Sequence, residues 1–277
     1  LNWMKHLSLY FFISALVIIP GVYSLFNYGL KLSIEFTGGS RITLIAPATA
    51  SAQIISSLEK YSPSLESSDQ NKLTFKTKEI SQDEVQKLLP NYSLQDFERI
   101  GPSLGKETIR KTINALIISS ILLLLYISNA FKQFKYGLCA ILAMLHDTIV
   151  LVGSFSLLGH FYGVEVDLLF VTAVLTILSF SVHDTIVVYD RIRELSHKEK
   201  GVDFISLVNQ AVSETMIRSL NNSLTIIFML LAMFLIGGET TKYFSLALLI
   251  GTVTGTYSST FTAAPLLVVW HKLSKKK

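Results

Sequence analysis

Residues 168–189 read LLFVTAVLTILSFSVHDTIVVY, an apolar run in which the ionisable side chains are His183 and Asp184. Its length matches the roughly 20 residues an α-helix needs to cross the hydrocarbon core of a bilayer. Further runs of the same character, bounded by charges or by Gly and Pro, lie at residues 7–28, 113–130, 136–158, 220–237 and 244–270. Composition agrees. Of 277 residues, 50% are hydrophobic and 16% charged, with a mean hydropathy of +0.48, whereas soluble domains carry about 25% charged residues. Six spans take about 120 residues and leave about 150 for loops and one small domain, which excludes a large soluble enzyme. The single Cys139 lies in an apolar run, so no intrachain disulfide and no cysteine-built metal site is available.

Orientation follows from lysine and arginine beside the spans. Lys5, Lys132, Lys135, Arg191, Arg193, Lys198, Lys200, Arg218, Lys272 and Lys275–Lys277 fall on one face, while the opposite short loops at 159–167 and 238–243 hold only Lys242. Both termini are therefore expected in the cytoplasm. The first run follows Lys5, is too long for a signal-peptide core and lacks an A-x-A cleavage pattern, so it reads as a retained anchor.

The segment at 29–111 then lies outside and reads as folded. A strand is expected at 33–45, a helix near 50–61, a hairpin turning at 68–71 into the alternating run 72–78, and a last strand at 92–100. A second helix at 81–89 opens on Ser81 with Glu84 three residues later, a capping-box pattern, and stops at Pro90. The order βαββαβ is the ferredoxin-like, split-βαβ arrangement. The expected fold is thus a bundle of six transmembrane helices with one outer α+β domain: residues 1–28 the first helix, 29–111 the domain, and 112–277 five further helices with a cytoplasmic tail.

Charges inside the spans carry the chemistry, because each costs at least about 2.5 to 3.5 kcal/mol at mid-bilayer. His146 and Asp147 stand in the string HDTIV, and His183 and Asp184 stand in an identical string one span later. At 1.5 Å per residue, Asp147 falls about 15 Å from the cytoplasmic start of its helix, and Asp184 about 24 Å from the outer start of its own. Arg218 enters from the cytoplasmic side and by depth suits Asp184 better than Asp147. A carboxylate beside an arginine is a tunable proton site, since burial raises its pKa and the guanidinium lowers it. The blander reading is a structural ion pair, or a carboxylate bonded to Ser181 or Thr185 of the same helix. His146 and His183 read first as packing residues, with pH tuning as the sharper role.

Imidazole and carboxylate are also zinc ligands, which makes an intramembrane metallohydrolase a rival. There is no HExxH, however, and adjacent helical residues project about 100° apart. No nucleophile elbow and no phosphate-binding loop occurs, so neither a metal nor another cofactor is expected. The basic tail fits orientation and anionic membrane lipid rather than nucleic acid. In the last run Gly251 and Gly255 form a GxxxG that lets helices approach, followed by the hydroxyls of Ser258 and Ser259. Packing is the simpler reading of this stripe, and a proton or water path facing Asp184 the sharper one.

Several strings together resemble the SecD/SecF family of bacterial protein-export membrane proteins, in the resistance-nodulation-division superfamily. Ser33-Ile34-Glu35-Phe36-Thr37-Gly38-Gly39 is similar to the family's G-I-D-F-T-G-G at the domain junction, and Gly101-Pro102-Ser103-Leu104-Gly105 to its signature before the second span. Residues 181–194, SVHDTIVVYDRIRE, resemble S-V-N-D-T-V-V-V-F-D-R-I-R-E, and Gly255-Thr256-Tyr257-Ser258-Ser259 matches the motif of the sixth span. The resemblance implies a non-enzymatic inner-membrane subunit that promotes protein export by proton flow, with Asp184 as the proton-responsive carboxylate and Arg218 as its counterpart. It also implies a SecD subunit, the SecYEG translocon with YajC, and the translocating preprotein as partners. A lipid or drug exporter of the same superfamily is the alternative, opposed by the twelve spans such chains carry. Two departures stand out: Glu35 in place of Asp, and His183 in place of Asn, a side chain that titrates near neutrality when unperturbed.

Overall fold

The computed structural model describes residues 2–69, 71–199 and 201–275. Leu1, Gln70 of the expected hairpin turn and three of the orienting cations, Lys200, Lys276 and Lys277, lie outside them. The chain forms two units. One is α+β, built from residues 31–114 and 165–168, and the other is helical.

The α+β unit holds α2 (Ile34–Thr37), β1 (Gly39–Ile45), α3 (Ser51–Ser57), β2 (Ser64–Asp69), β3 (Lys72–Thr77), α4 (Gln82–Leu88) and β4 (Ser93–Ile100). The strands make one antiparallel sheet in the order β2-β3-β1-β4. Strand side chains alternate between faces, so Ile42 and Leu44 of β1 oppose Phe75 and Leu73 of β3 on the inner face. There they are buried with Ile54, Leu58, Val85 and Leu89. Ser81 caps α4 as its pattern predicts: its hydroxyl accepts from the Glu84 amide, and the Glu84 carboxylate accepts from the Ser81 amide.

The strand expected at 33–45 is divided. Residues 34–37 form a helical turn, and the strand begins only at Gly39. The reason is the corner between them. Gly38 has φ +71° and Gly39 φ +126°, a region closed to most L side chains. A Cβ on Gly38 would stand 2.8 Å from Cα of Pro102, and one on Gly39 2.5 Å from the Thr77 carbonyl oxygen. Gly105 closes the same corner, because its Cβ would meet the Phe36 carbonyl oxygen at 2.6 Å. The two glycine-bearing strings at 35–39 and 101–105 are therefore the two sides of one backbone contact.

The helical unit takes α1 (Leu7–Asn27), α5 (Pro102–Phe131) from Ala115 on, α6 (Phe134–Tyr162), α7 (Leu168–Lys198) from Leu169 on, α8 (Phe204–Ile236), α9 (Glu239–Ser258) and α10 (Ala264–Lys275). Among the described residues five helices are long and apolar enough to cross a membrane: 3–27, 102–131, 134–162, 168–198 and 204–236. The sixth apolar run is divided between α9, a π-helical turn at Ser259–Ala263 and α10.

Three helices outrun their apolar stretches. α5 begins at Pro102, α7 continues to Lys198, and α8 begins at Phe204, where Asp203 accepts from the Ile205 amide. The added turns are held by charge pairs. Arg191 bridges Glu194 and Glu214, Arg193 binds Asp190 at 2.8 Å, and Lys198 binds Glu194 at 2.6 Å. Arg218 is thus fourteen residues into α8, about 21 Å from its start, rather than at the mouth of a helix.

Close approach between α1 and α6 is made by Gly21 and Gly153. A Cβ on Gly153 would lie 2.6 Å from Cα of Gly21. One turn on, Ser156 donates to the Gly29 carbonyl at 2.6 Å, which leaves Ser24 as donor to Ser156 at 2.7 Å. The expected GxxxG also packs tightly, but against α7: a Cβ on Gly251 would overlap the Ile177 side chain, and Gly255 faces Ser181.

Candidate functional site

Asp184 stands in the middle of α7 and is 3% exposed. Its Oδ2 accepts from Ser219 Oγ of α8 at 2.6 Å, the hydrogen bond it makes among the described residues. Ser181 and Thr185, the expected partners on its own helix, do not serve. Ser181 points to Asp147, and the Thr185 hydroxyl is buried without a partner among the described residues. Ser181 is taken by the Asp147 carboxylate of α6, and α8 supplies Asp184 with a hydroxyl from Ser219.

Beside Asp184 lies a cavity of about 290 Å³, lined by His183, Asp184, Val187, Arg218, Ser219 and Asn222. Arg218 and Asp184 share this cavity with no ion pair between them within 4 Å. A second cavity of about 400 Å³ shares Val187 and Arg218, and its other lining residues are Asp190, Arg191, Glu194, Glu214 and Thr215. Arg218 therefore stands where a space faced by a buried carboxylate meets one lined by charged side chains. Such space is large enough for several waters, which would find polar partners on its walls.

Asp147 of α6 is 1% exposed and differently placed. Its Oδ2 accepts from Ser181 Oγ of α7 at 2.6 Å and from Ser258 Oγ of α9 at 2.5 Å, and its Oδ1 faces His146 Nδ1 at 2.9 Å. With Nδ1 as the protonated nitrogen, the bare Nε2 of His146 is buried with no partner among the described residues. Ser258 is the last residue before the π-helical turn, so Asp147 ties three helices at the point where the last one changes its winding. Ser259 turns back to the Thr256 carbonyl at 3.1 Å, and Thr256 donates to Ser223 of α8 at 2.6 Å.

The expected site residues thus separate. Asp184, His183 and Arg218 come together at one cavity. Asp147, His146 and Ser258 form a second, fully enclosed set, joined to the first through α7. Ser219, Ser223 and Thr256 were not singled out by sequence, because a serine or threonine on an apolar helix carries no signal until its partner is known. Glu35, Phe36, Thr37, Gly38 and Gly39 belong to the α+β unit. No cluster of three or more His, Cys, Asp or Glu side chains suited to a metal occurs among the described residues.

Residues 80–273 match the family described as protein export membrane protein SecD/SecF, C-terminal, and residues 23–44 match the SecD/SecF GG motif. The protein translocase subunit SecF of Thermobaculum terrenum is 41% identical over 289 residues, covering 95% of this chain and 91% of its own length. The SecF of Anaerolinea thermophila is 39% identical, covering 98% and 94%. The protein translocase subunit SecDF of Bacillus subtilis is 32% identical, covering 97% of this chain but 38% of that one. The crystal structure of SecDF from Thermus thermophilus, described as a translocon-associated membrane protein, superposes with a TM-score of 0.85 at 29% identity, over 98% of this chain and 39% of that one.

Among the described residues, five long apolar helices with a small antiparallel α+β unit between the first and the second define the class as a multi-pass membrane protein. The chain belongs to the SecD/SecF family of protein translocase subunits, on its SecF side, and aids protein export.

Proposed function

We propose that this chain works in the bacterial inner membrane with a SecD subunit, the SecYEG translocon and YajC, using the proton motive force to promote preprotein translocation. The reading places six helices in the membrane, α1, α5, α6, α7, α8 and the α9–π–α10 run, with both termini in the cytoplasm. Residues 29–111 form a periplasmic ferredoxin-like domain, for which the β2-β3-β1-β4 strand order is the support. Residues 1–28 and 112–277 supply the helices and tail. Association with SecD is supported by the relatives in which one SecDF chain is more than twice as long as the matched part.

The observation that carries the proton reading is Asp184, a carboxylate that is buried, bonded once and faces a cavity it shares with Arg218. A proton reaching that cavity neutralises Asp184 and removes its attraction for the guanidinium across the cavity, which favours a shift of Arg218 toward other acceptors. Moving one charge through the membrane potential supplies about 2.3 kcal/mol per 100 mV, enough to bias a two-state helix pair. Asp147 serves the same path as an anchored neighbour that fixes α6, α7 and α9 around it, and His183 tunes the response. The test is export into vesicles containing SecD and the translocon. Asp184→Asn or Arg218→Met should abolish the stimulation that depends on a proton gradient while leaving co-purification with SecD intact. Full stimulation in both variants would overturn the assignment.

A further inference from the structure

One face of the sheet packs on the apolar core, and the other is polar and is covered around Arg41 and Lys76. Arg41 of β1 and Lys76 of β3 project from this second face, alternating with the core residues Ile42 and Phe75. What covers them is the short segment between α6 and α7, of which residues 165–168 belong to the α+β unit. Val166 forms a parallel bridge with Leu32: its amide donates to the Lys31 carbonyl at 2.7 Å, and its carbonyl accepts from the Ser33 amide at 2.9 Å. Glu165, its side chain 9% exposed, sits against Lys76 Nζ at 3.1 Å, Arg41 at 3.8 Å and Lys31 at 3.9 Å. Lys76 also donates to the Leu32 carbonyl at 2.6 Å. Arg41 is itself held by Glu66 of β2 and Glu98 of β4, so Glu165 is added to a charge network that already crosses the sheet.

The second contact is at the helix start. Leu168 is the first residue of α7, and its amide, one of those an α-helix leaves without an internal partner, donates to Glu35 Oε2 at 2.6 Å. A carboxylate there is doubly favoured, as acceptor and as the charge that complements the helix dipole. Glutamate, longer than aspartate by one methylene, spans from the 34–37 turn to that amide.

We infer that Glu35 and Glu165 are positioning residues: with the Leu32–Val166 bridge they clasp residues 165–168, which end on the first residue of α7, to the sheet of the α+β unit, and gradient-driven export depends on that hold. The inference rests on the proton-driven reading of Asp184. Burial pushes the Glu165 carboxyl above the ordinary carboxylate range, and the neighbouring Lys76 opposes this. The clasp is a fixed joint, not a latch. Holding it shut does not impair the protein.

The experiment uses the complex with SecD in vesicles with the translocon, and compares Glu35→Gln combined with Glu165→Gln, the same chain also carrying Leu32→Cys and Val166→Cys, and Asp184→Asn. The double glutamine variant should co-purify with SecD normally, exchange the amides of residues 168–171 about twofold to fivefold faster, and lose most of the gradient-dependent stimulation. Oxidising the introduced thiols should restore stimulation, and reduction should remove it again. Undiminished stimulation in the double variant, or loss that the disulfide fails to restore, would overturn the clasp. The proton reading fails separately, on undiminished stimulation in Asp184→Asn, and the loss and disulfide rescue of export would still decide for or against the clasp in that case.

Discussion

Ser181 of α7 donates to Asp147 of α6 at 2.6 Å, so the helix that carries the second HDTIV string is hydrogen-bonded to the carboxylate of the first. Three residues further along α7, Asp184 turns to α8 instead. Identical strings thus hold carboxylates in opposite situations. One is saturated with donors and enclosed, and the other is bonded once and opens on a cavity.

That difference predicts opposite consequences for the same substitution. Asp147→Asn removes one acceptor oxygen and places an amide among Ser181, Ser258 and His146. It should lower stability by about 1–3 kcal/mol, read as an earlier thermal unfolding of the detergent-solubilised complex with SecD. Asp184→Asn has one hydrogen bond to preserve and should unfold close to the parent. Equal losses in the two variants would contradict the distinction.

The contact between α1 and α6 makes a steric prediction. Gly153→Val would drive a side chain into the backbone at Gly21 and should destabilise the chain by about 1–3 kcal/mol. Gly238→Ala is the control, because a Cβ there meets nothing within 4 Å. Thermal unfolding of both variants, side by side, gives the answer; a Gly153 variant as stable as the Gly238 one would refute the close approach.

A pH prediction comes from α4. The hydrogen bond from the Ser81 amide holds the exposed Glu84 carboxyl below the ordinary carboxylate range. A depressed pKa means that the cap contributes fully above the ordinary value and is lost as pH falls through the lowered one. The protection of the Ser81 and Glu84 amides, measured against their intrinsic exchange rates at each pH, should therefore fall in acid below the usual carboxylate range and stay constant above it. Glu84→Gln, which does not titrate, should remove that pH dependence, whereas Ser81→Ala, which keeps the amide that bonds Glu84, should retain part of it and cost about 1 kcal/mol through the lost hydroxyl cap.

Much of this was legible from residue order alone. Apolar runs located the long helices, Ser81 and Glu84 located the start of α4, and the alternation around Leu73 and Phe75 located a strand. Glu35, Phe36 and Thr37 read as extended because Ile, Phe and Thr favour strands; only the contacts of Gly38 with Pro102 and of Gly105 with Phe36 decide for a turn. α7 and α8 were read too short, because their water-facing turns are built on charge pairs such as Arg193–Asp190, which hydropathy does not register. Gly21 and Gly153 lie on different helices and form no pattern within either. Ser219 was invisible for the same reason, since its meaning comes from Asp184 across the helix pair.

In the proposed relay Asp184 itself takes up and releases the proton. The most direct measurement is infrared difference spectroscopy of the complex with SecD in lipid, following the carboxylic acid C=O band through a pH titration. The expected result is a band that titrates in the parent chain and in Asp147→Asn and is absent in Asp184→Asn. A band that survives unchanged in Asp184→Asn would contradict it.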